Sequence, residues 1–266
     1  MTRWLAILVA LTALLAGDPA GADVGALPPV AARVDYQLGG VYKPAAGVQV
    51  VTRDRTAHPA KGTYSICYVN AFQTQPGRLK WWKARHPDLL LRKKSGALVT
   101  DPGWPDEVLF DIRTAAKRTA LADVADRWFA GCKRDGFQAI EPDNLDSWTR
   151  SKGLIRRRST IAMARLLTAS AHSHGLPIAQ KNTLSLAPKG KAIGFDFAVT
   201  EECQVYAECG GYRKAYGAHV IEIEYSDNGR RYFTRACKKR GTSISVIFRD
   251  RELVKRGNAG YVYETC

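Results

Sequence analysis

Phe137-Gln138-Ala139-Ile140-Glu141-Pro142-Asp143-Asn144 joins a candidate strand to an acidic end, and the architecture can be built outward from it. It opens as a short β-rich run and closes on acidic and amide groups. Side chains on a strand alternate faces, so Glu141 and Asp143 share one face, with Asp143 at the rim and Glu141 a layer deeper. Two carboxylates this near push one pKa up and the other down, which separates acid from base roles.

Seven similar runs flank it, at 34–38, 48–52, 64–70, 176–182, 195–200, 220–225 and 243–249. Helical patterns rich in Ala, Leu, Lys and Arg lie between most of them, clearest at 115–133, 160–174, 205–216 and 231–240. Strands alternating with helices imply parallel pairing through helical crossovers, and eight strands close a (β/α)8 barrel. An open doubly wound sheet would carry a glycine-rich phosphate turn after its first strand, and neither G-x-G-x-x-G nor G-x-x-x-x-G-K-[ST] occurs. The expectation is one α/β domain, a TIM barrel over 34–266, with residues 72–112 as a long insert on its top face between strands 3 and 4.

The N-terminus reads differently. Met1-Thr2-Arg3, an apolar run at 4–16 and Ala20-Gly21-Ala22 form a secretory signal peptide over 1–22. Residues 23–33 read as a flexible leader. No later segment is apolar enough to span a bilayer, so a secreted, extracellular, monomeric protein without membrane contact after cleavage is expected. Six cysteines in an exported chain imply disulfides. Six cysteines allow about 15 pairings and the sequence alone does not choose among them; Cys203 and Cys209 are near enough for a local staple, Cys237 and Cys266 could tie the tail, and Cys67 with Cys132 would then remain. The net charge is +15. Its basic runs, such as Arg156-Arg157-Arg158 and Lys238-Lys239-Arg240, are scattered and have no nucleic-acid module around them, so no nucleic-acid partner is expected.

A barrel puts its chemistry at the C-terminal ends of its strands. Those ends here are Gln37; Arg53-Asp54-Arg55; Tyr68 and Asn70; Glu141 and Asp143-Asn144; Lys181-Asn182; Glu201-Glu202; Glu222 and Glu224; and Arg249-Asp250-Arg251. On the sixth strand, alternation puts Phe195, Phe197, Val199 and Glu201 under the helices and turns Glu202 to the mouth. On the seventh, Glu222 and Glu224 point inward if Ile221 and Ile223 pack outward, as site carboxylates or as partners for Lys181 and Arg249. None of the five histidines falls at an active-face strand end, so no metal and no cofactor are expected. Without a nucleophile elbow or a free cysteine, paired carboxylates suit glycosidic bond cleavage. Trp81, Trp82, Trp104, Trp148, Tyr36, Tyr68, Tyr206 and Tyr225 offer faces for sugar C–H stacking, though adjacent Trp81 and Trp82 cannot both face the groove.

Five motifs carry a family resemblance: Asp35-Tyr36-Gln37-Leu38-Gly39-Gly40, Cys67-Tyr68-Val69-Asn70, Glu141-Pro142-Asp143-Asn144-Leu145-Asp146, Gln180-Lys181-Asn182 and Glu201-Glu202-Cys203. Together they resemble glycoside hydrolase family 114, the endo-α-1,4-polygalactosaminidases, from about Val34 to Cys266. The resemblance implies a (β/α)8 barrel acting on α-1,4-linked galactosamine polymers. It places the catalytic pair on Asp143, as nucleophile or charge stabiliser, and Glu201, as acid/base, overriding the alternation argument for Glu202. Asp35, Tyr36, Gln37, Asp54, Tyr68, Asn70, Glu141, Asn144, Lys181, Asn182, Glu202, Glu224 and Arg249 are the expected substrate-binding set. Galactosamine polymers are cationic, so a basic protein needs an acidic groove to receive one, or else cuts an N-acetylated or anionic polymer. Another polysaccharide specificity, or a non-catalytic polysaccharide-binding barrel, is the alternative.

Overall fold

Alternate side chains of eight parallel strands sort into two cores, and that sorting places the site. In the computed structural model, which describes residues 24–266, the strands are β1 (Val34–Tyr36), β2 (Val50–Asp54), β3 (Tyr64–Asn70), β4 (Ala139–Asp143), β5 (Ala179–Lys181), β6 (Phe197–Glu201), β7 (Val220–Tyr225) and β8 (Ser245–Arg249). Val34, Tyr36, Val50, Ile66, Ala139, Ala179, Phe197, Val199, Ile221, Ile223 and Ile247 fill the interior. Their sequence neighbours, among them Cys67, Val69, Ile140, Ala198, Val220 and Phe248, pack outward against the helices. This is the expected (β/α)8-type architecture, with most strands shorter than the sequence suggests. The proposed signal peptide lies outside the described residues.

Parallel ladders run in chain order through β1–β4 and through β5–β8. At one seam between these half-sheets, Ile140 N–H donates to the Pro177 carbonyl at 2.8 Å. At the other, Ala32 N–H donates to Ser245 Oγ at 3.0 Å and the Arg249 guanidinium to the Tyr36 carbonyl. Gly39 bridges to Val254 there, and a Cβ on it would run into the Leu253 carbonyl.

The helices are α1 (Leu79–Arg85), α2 (Ala115–Asp135), α3 (Ser147–Arg150), α4 (Arg157–Ser173), α5 (Gly190–Ile193), α6 (Cys209–Tyr216) and α7 (Arg230–Arg240). In α2, Leu121, Val124, Ala125, Phe129 and Cys132 recur at helical spacing and are buried. Thr114 caps its start, and Gly136, at φ 98°, supplies the left-handed turn that ends it. The helix expected over 205–216 begins only at Cys209. Glu202 and Ala207 have positive φ, and the Cys203–Cys209 disulfide closes the intervening turn.

Cys67–Cys132 and Cys237–Cys266 are also bonded. The first fastens α2 to β3 across 65 residues, a loop whose closure is worth about 4 kcal/mol. The other ties the tail, where β9 (Tyr263–Thr265) pairs antiparallel with β8, a strand the sequence reading lacked. Segments 37–49 and 55–63 carry no helix. The insert after β3 folds on α1 and on bridges such as Gln73–Leu109 and Leu90–Phe110. From residue 25 the leader touches the barrel: Gly25 N–H donates to the Gly175 carbonyl at 3.2 Å and the Ala26 carbonyl accepts from Tyr64 at 2.7 Å. No described helix is long and apolar enough to cross a membrane.

Candidate active site

At the C-terminal rim of β4, β5 and β6, one ammonium gathers three carboxylates. Lys181 Nζ lies 3.1 Å from Glu141 Oε1, 3.3 Å from Asp143 Oδ2 and 3.5 Å from Glu201 Oε2. Solvent access ranks them. The Lys181 and Glu141 side chains are 1% and 0% exposed, whereas Asp143 and Glu201 are 18% and 23% exposed and face the mouth. Of the three carboxylates, those two are open to solvent at the mouth.

Each is oriented by further donors. Asp143 Oδ2 accepts from Tyr68 at 2.8 Å and Oδ1 from Asn144 N–H at 2.7 Å. Glu201 Oε2 accepts from Asn182 Nδ2 at 2.7 Å, its own N–H donates to Asn182 Oδ1 at 2.7 Å, and Oε1 takes the Tyr225 hydroxyl. Below them Tyr36 donates to Glu141 Oε1 and accepts from Lys181 at 3.0 Å. Among the described residues Glu141 Oε2 has no hydrogen-bond partner.

Burial on its own would raise the Asp143 carboxyl, but Lys181, Asn144 N–H and Tyr68 together hold it below its ordinary range. In Glu141 burial prevails over Lys181 and Tyr36, and its pKa is raised. Lys181 loses hydration too, yet its three carboxylates keep it firmly charged. Asp143 is therefore an ionised, donor-braced group, suited to receiving positive charge at a sugar carbon.

The backbone turns sharply just past these groups. Asn144, Asn182 and Glu202, which follow Asp143, Lys181 and Glu201, have φ of 66°, 47° and 61°. Left-handed backbone is unfavourable for side chains with a Cβ, least so for Asn, and such strain concentrates at functional sites. At Glu202 it is held by its N–H on the Ile223 carbonyl at 2.7 Å. Its carboxylate turns to Asn228 and to Arg251 at 2.6 Å, away from Lys181.

The glutamate at the mouth is thus Glu201, and the alternation argument had β6 inside out: Phe197 and Val199 belong to the interior, and Ala198 faces the helices. The same reversal holds on β7. Ile221, Ile223 and Tyr225 point inward. Glu222 instead pairs with Arg240 of α7 through two bonds of 2.7 and 2.8 Å, and Glu224 accepts from Gln204 N–H at 2.9 Å. Neither meets Lys181 or Arg249.

Several other expected binding residues are taken up by the scaffold. Asp35 and Gln37 form a buried network with Tyr42 and Arg53 through bonds of 2.7 to 2.9 Å. Arg249 is fully buried and spends its donors on the Tyr36, Val254 and Val262 carbonyls at the β8–β1 seam. Asp54 Oδ1 accepts from Thr56, and Oδ2 is buried without a hydrogen-bond partner among the described residues.

Asn70 and Asn144 join each other at 2.9 Å and lead into a network absent from the sequence reading. Glu107 accepts from Asn70 and Gln73 at 2.7 Å each, Gln73 reaches Asp101 at 3.0 Å, and Arg150 spans Asp101, Asp146 and Asn144. Gln73, Asp101 and Glu107 sit in an insert without periodicity, so no pattern pointed to them. Trp82 is buried and Trp81 exposed, as their adjacency required.

The sequence profile of the glycoside-hydrolase family GH114 matches residues 16–266. No curated protein matches the chain. Among solved structures, Aspergillus fumigatus Ega3 in complex with galactosamine superposes with a TM-score of 0.71 at 19% identity, covering 91% of this chain and 98% of that one. The glycoside hydrolase domain of PelA from Pseudomonas aeruginosa does so with a TM-score of 0.58 at 13% identity, covering 85% and 97%. Both likenesses are of fold, and the profile match over the whole barrel with two open carboxylates at its mouth supplies the rest: the chain belongs to glycoside hydrolase family GH114 and is a glycoside hydrolase.

Proposed function

We propose that this enzyme is secreted and cuts within α-1,4-linked galactosamine-containing polysaccharide, with Asp143 as nucleophile or charge stabiliser and Glu201 as acid/base. The observation that carries the assignment is the pair of mouth-facing carboxylates sharing one lysine. Glu201 would give its proton to the leaving glycosidic oxygen while Asp143 meets the charge that develops at the sugar carbon. Glu201 would then take a proton from the water that completes hydrolysis. The separation of the two oxygens cannot exceed the sum of their contacts to Lys181, 3.3 and 3.5 Å. That closeness supports the short carboxyl separation of retaining enzymes, about 5–5.5 Å, over the roughly 6.5–9.5 Å of inverting ones.

Carboxylates outnumber the one ammonium around Lys181, which supports a cationic amino sugar at the mouth despite a chain charge of +15. Ega3, whose fold this chain shares, is described in complex with galactosamine. The apolar run at 4–16 before Ala20-Gly21-Ala22, with three disulfides in the mature part, supports export. Mass spectrometry of products from purified α-1,4-galactosaminan, deacetylated and partly acetylated, tests the proposal. Wild type is expected to release oligosaccharides and Asp143→Asn to lose at least about 10²-fold in rate. Equal release by both would mean that Asp143 is the wrong aspartate, and no release by wild type would remove the substrate assignment.

A further inference from the structure

A second cluster beside the mouth has the opposite sign. Arg55 follows β2 directly, and its guanidinium lies over the Trp128 ring, 4.4 Å from the centroid. Arg78 lines the same hollow, with Asn70, Gln75, Trp81, Trp82 and Trp128. Among the described residues neither guanidinium has an ion-pair partner or a side-chain hydrogen bond. Asp54, the nearest acid, is engaged by the Thr56 N–H and hydroxyl at 2.9 and 2.5 Å. Burial weakens the hold of Arg55 on its proton, and repulsion from Arg78 adds to that against the pull of Asp54. Arg55 is half-buried beside an exposed like charge with Asp54 alone to offset it, and an anion entering the hollow would be attracted by both guanidiniums.

We infer that this pocket is a subsite for a sugar residue carrying a carboxylate, next to the bond that Asp143 and Glu201 cleave; the inference rests on the polysaccharide reading above. Position supports it. Asn70, on the pocket wall, is the register partner of Asp143 and accepts from Asn144 at 2.9 Å, so the hollow adjoins the strand next to the one that bears the mouth aspartate. Shape supports it too. A planar carboxylate matches the fork of Arg55, which its stacking on Trp128 holds in place. Trp81, 36% exposed, offers an indole face to the sugar's C–H face, above the buried Trp82. The preferred polymer then alternates in charge, with an amino sugar at the acidic centre and an acidic sugar at the basic pocket.

Isothermal titration calorimetry with tri-galacturonic acid, and with a neutral galactose trisaccharide as control, tests the subsite on the intact protein. The acidic trisaccharide is expected to bind wild type and to lose about tenfold or more in affinity in Arg55→Gln and in Arg78→Gln. Lys238→Gln, an exposed cation on α7, controls for net charge and is expected to leave affinity unchanged. Arg78 is exposed, so its variant remains informative if Arg55→Gln folds poorly. Absence of binding to wild type, or equal affinity in wild type and Arg78→Gln, overturns the subsite. Hydrolysis of galactosaminan by the same wild-type protein separates the two proposals. Cleavage without galacturonate binding sinks the subsite alone, and arginine-dependent binding without cleavage sinks the galactosamine reading alone.

Discussion

β4 and β7 each carry two carboxylates two residues apart, and the barrel uses the pairs in opposite ways. Glu141 and Asp143 point to the interior and meet a lysine from a neighbouring strand, with Asp143 open to the mouth. Glu222 and Glu224 point to the helices and are sealed, one by Arg240, the other by a backbone N–H. Spacing along a strand makes a carboxylate pair, while the face it occupies decides whether the pair opens to the mouth or is sealed against the helices. On β4 the face is set by Ala139 inside and Ile140 outside, on β7 by Ile221 and Ile223 inside.

Removing the cation from each pair is the sharpest way to break the comparison. Lys181→Met is expected to lower kcat by about 10²-fold or more, because it takes an oriented charge from both mouth carboxylates. The acid limb of the kcat/KM profile should also move to higher pH, since Lys181 is a main cause of the lowered Asp143 pKa. A pH–rate profile of unchanged shape would show that Lys181 only fills space. Arg240→Met is expected to do the reverse. It leaves Glu222 buried and unpaired, at a cost of about 3 kcal/mol, which lowers Tm by roughly 10 °C in a domain of this size. The kcat/KM of the folded fraction should be preserved. A loss of activity without a loss of stability would mean that the β7 pair couples to the mouth.

The same contrast marks what the sequence could say. Strand order and the β4 motif were legible, because they follow from period and rim position; of the disulfides, only the short Cys203–Cys209 staple has chain proximity to mark it, and the sequence left the pairing as a whole open. Glu201 was legible only through its family motif. Alternation failed on β6 and β7 because Phe197, Val199, Ile221 and Ile223 are as apolar as any helix-facing residue, and a barrel interior is as dry as its outer layer. Arg249 read as a site residue because it ends a strand, and nothing in the sequence marks the seam that consumes it. The network from Asn70 through Glu107 to Arg150 crosses an irregular insert, where burial has no period to betray it.

The smallest expected effect concerns Glu224, and it tests whether the β7 pair is only structural. Burial pushes its carboxyl from 4.5 up to about 8, with Glu222 adding to the rise and the Gln204 N–H opposing it, and its Oε2 has no partner. An acid whose pKa is raised by folding binds its proton more tightly in the native state than in the unfolded one. Its favourable contribution is therefore complete below about 4.5 and is lost as pH rises towards about 8. Glu224→Gln keeps the shape and removes the titration, so its Tm should fall less than that of wild type over this interval, with the two proteins closest at the acid end. Parallel Tm curves would mean that Glu224 keeps its charge in the fold. In that case the unpartnered oxygen would have to be hydrated, and the helix-facing side of β7 would be wetter than its sealed geometry implies.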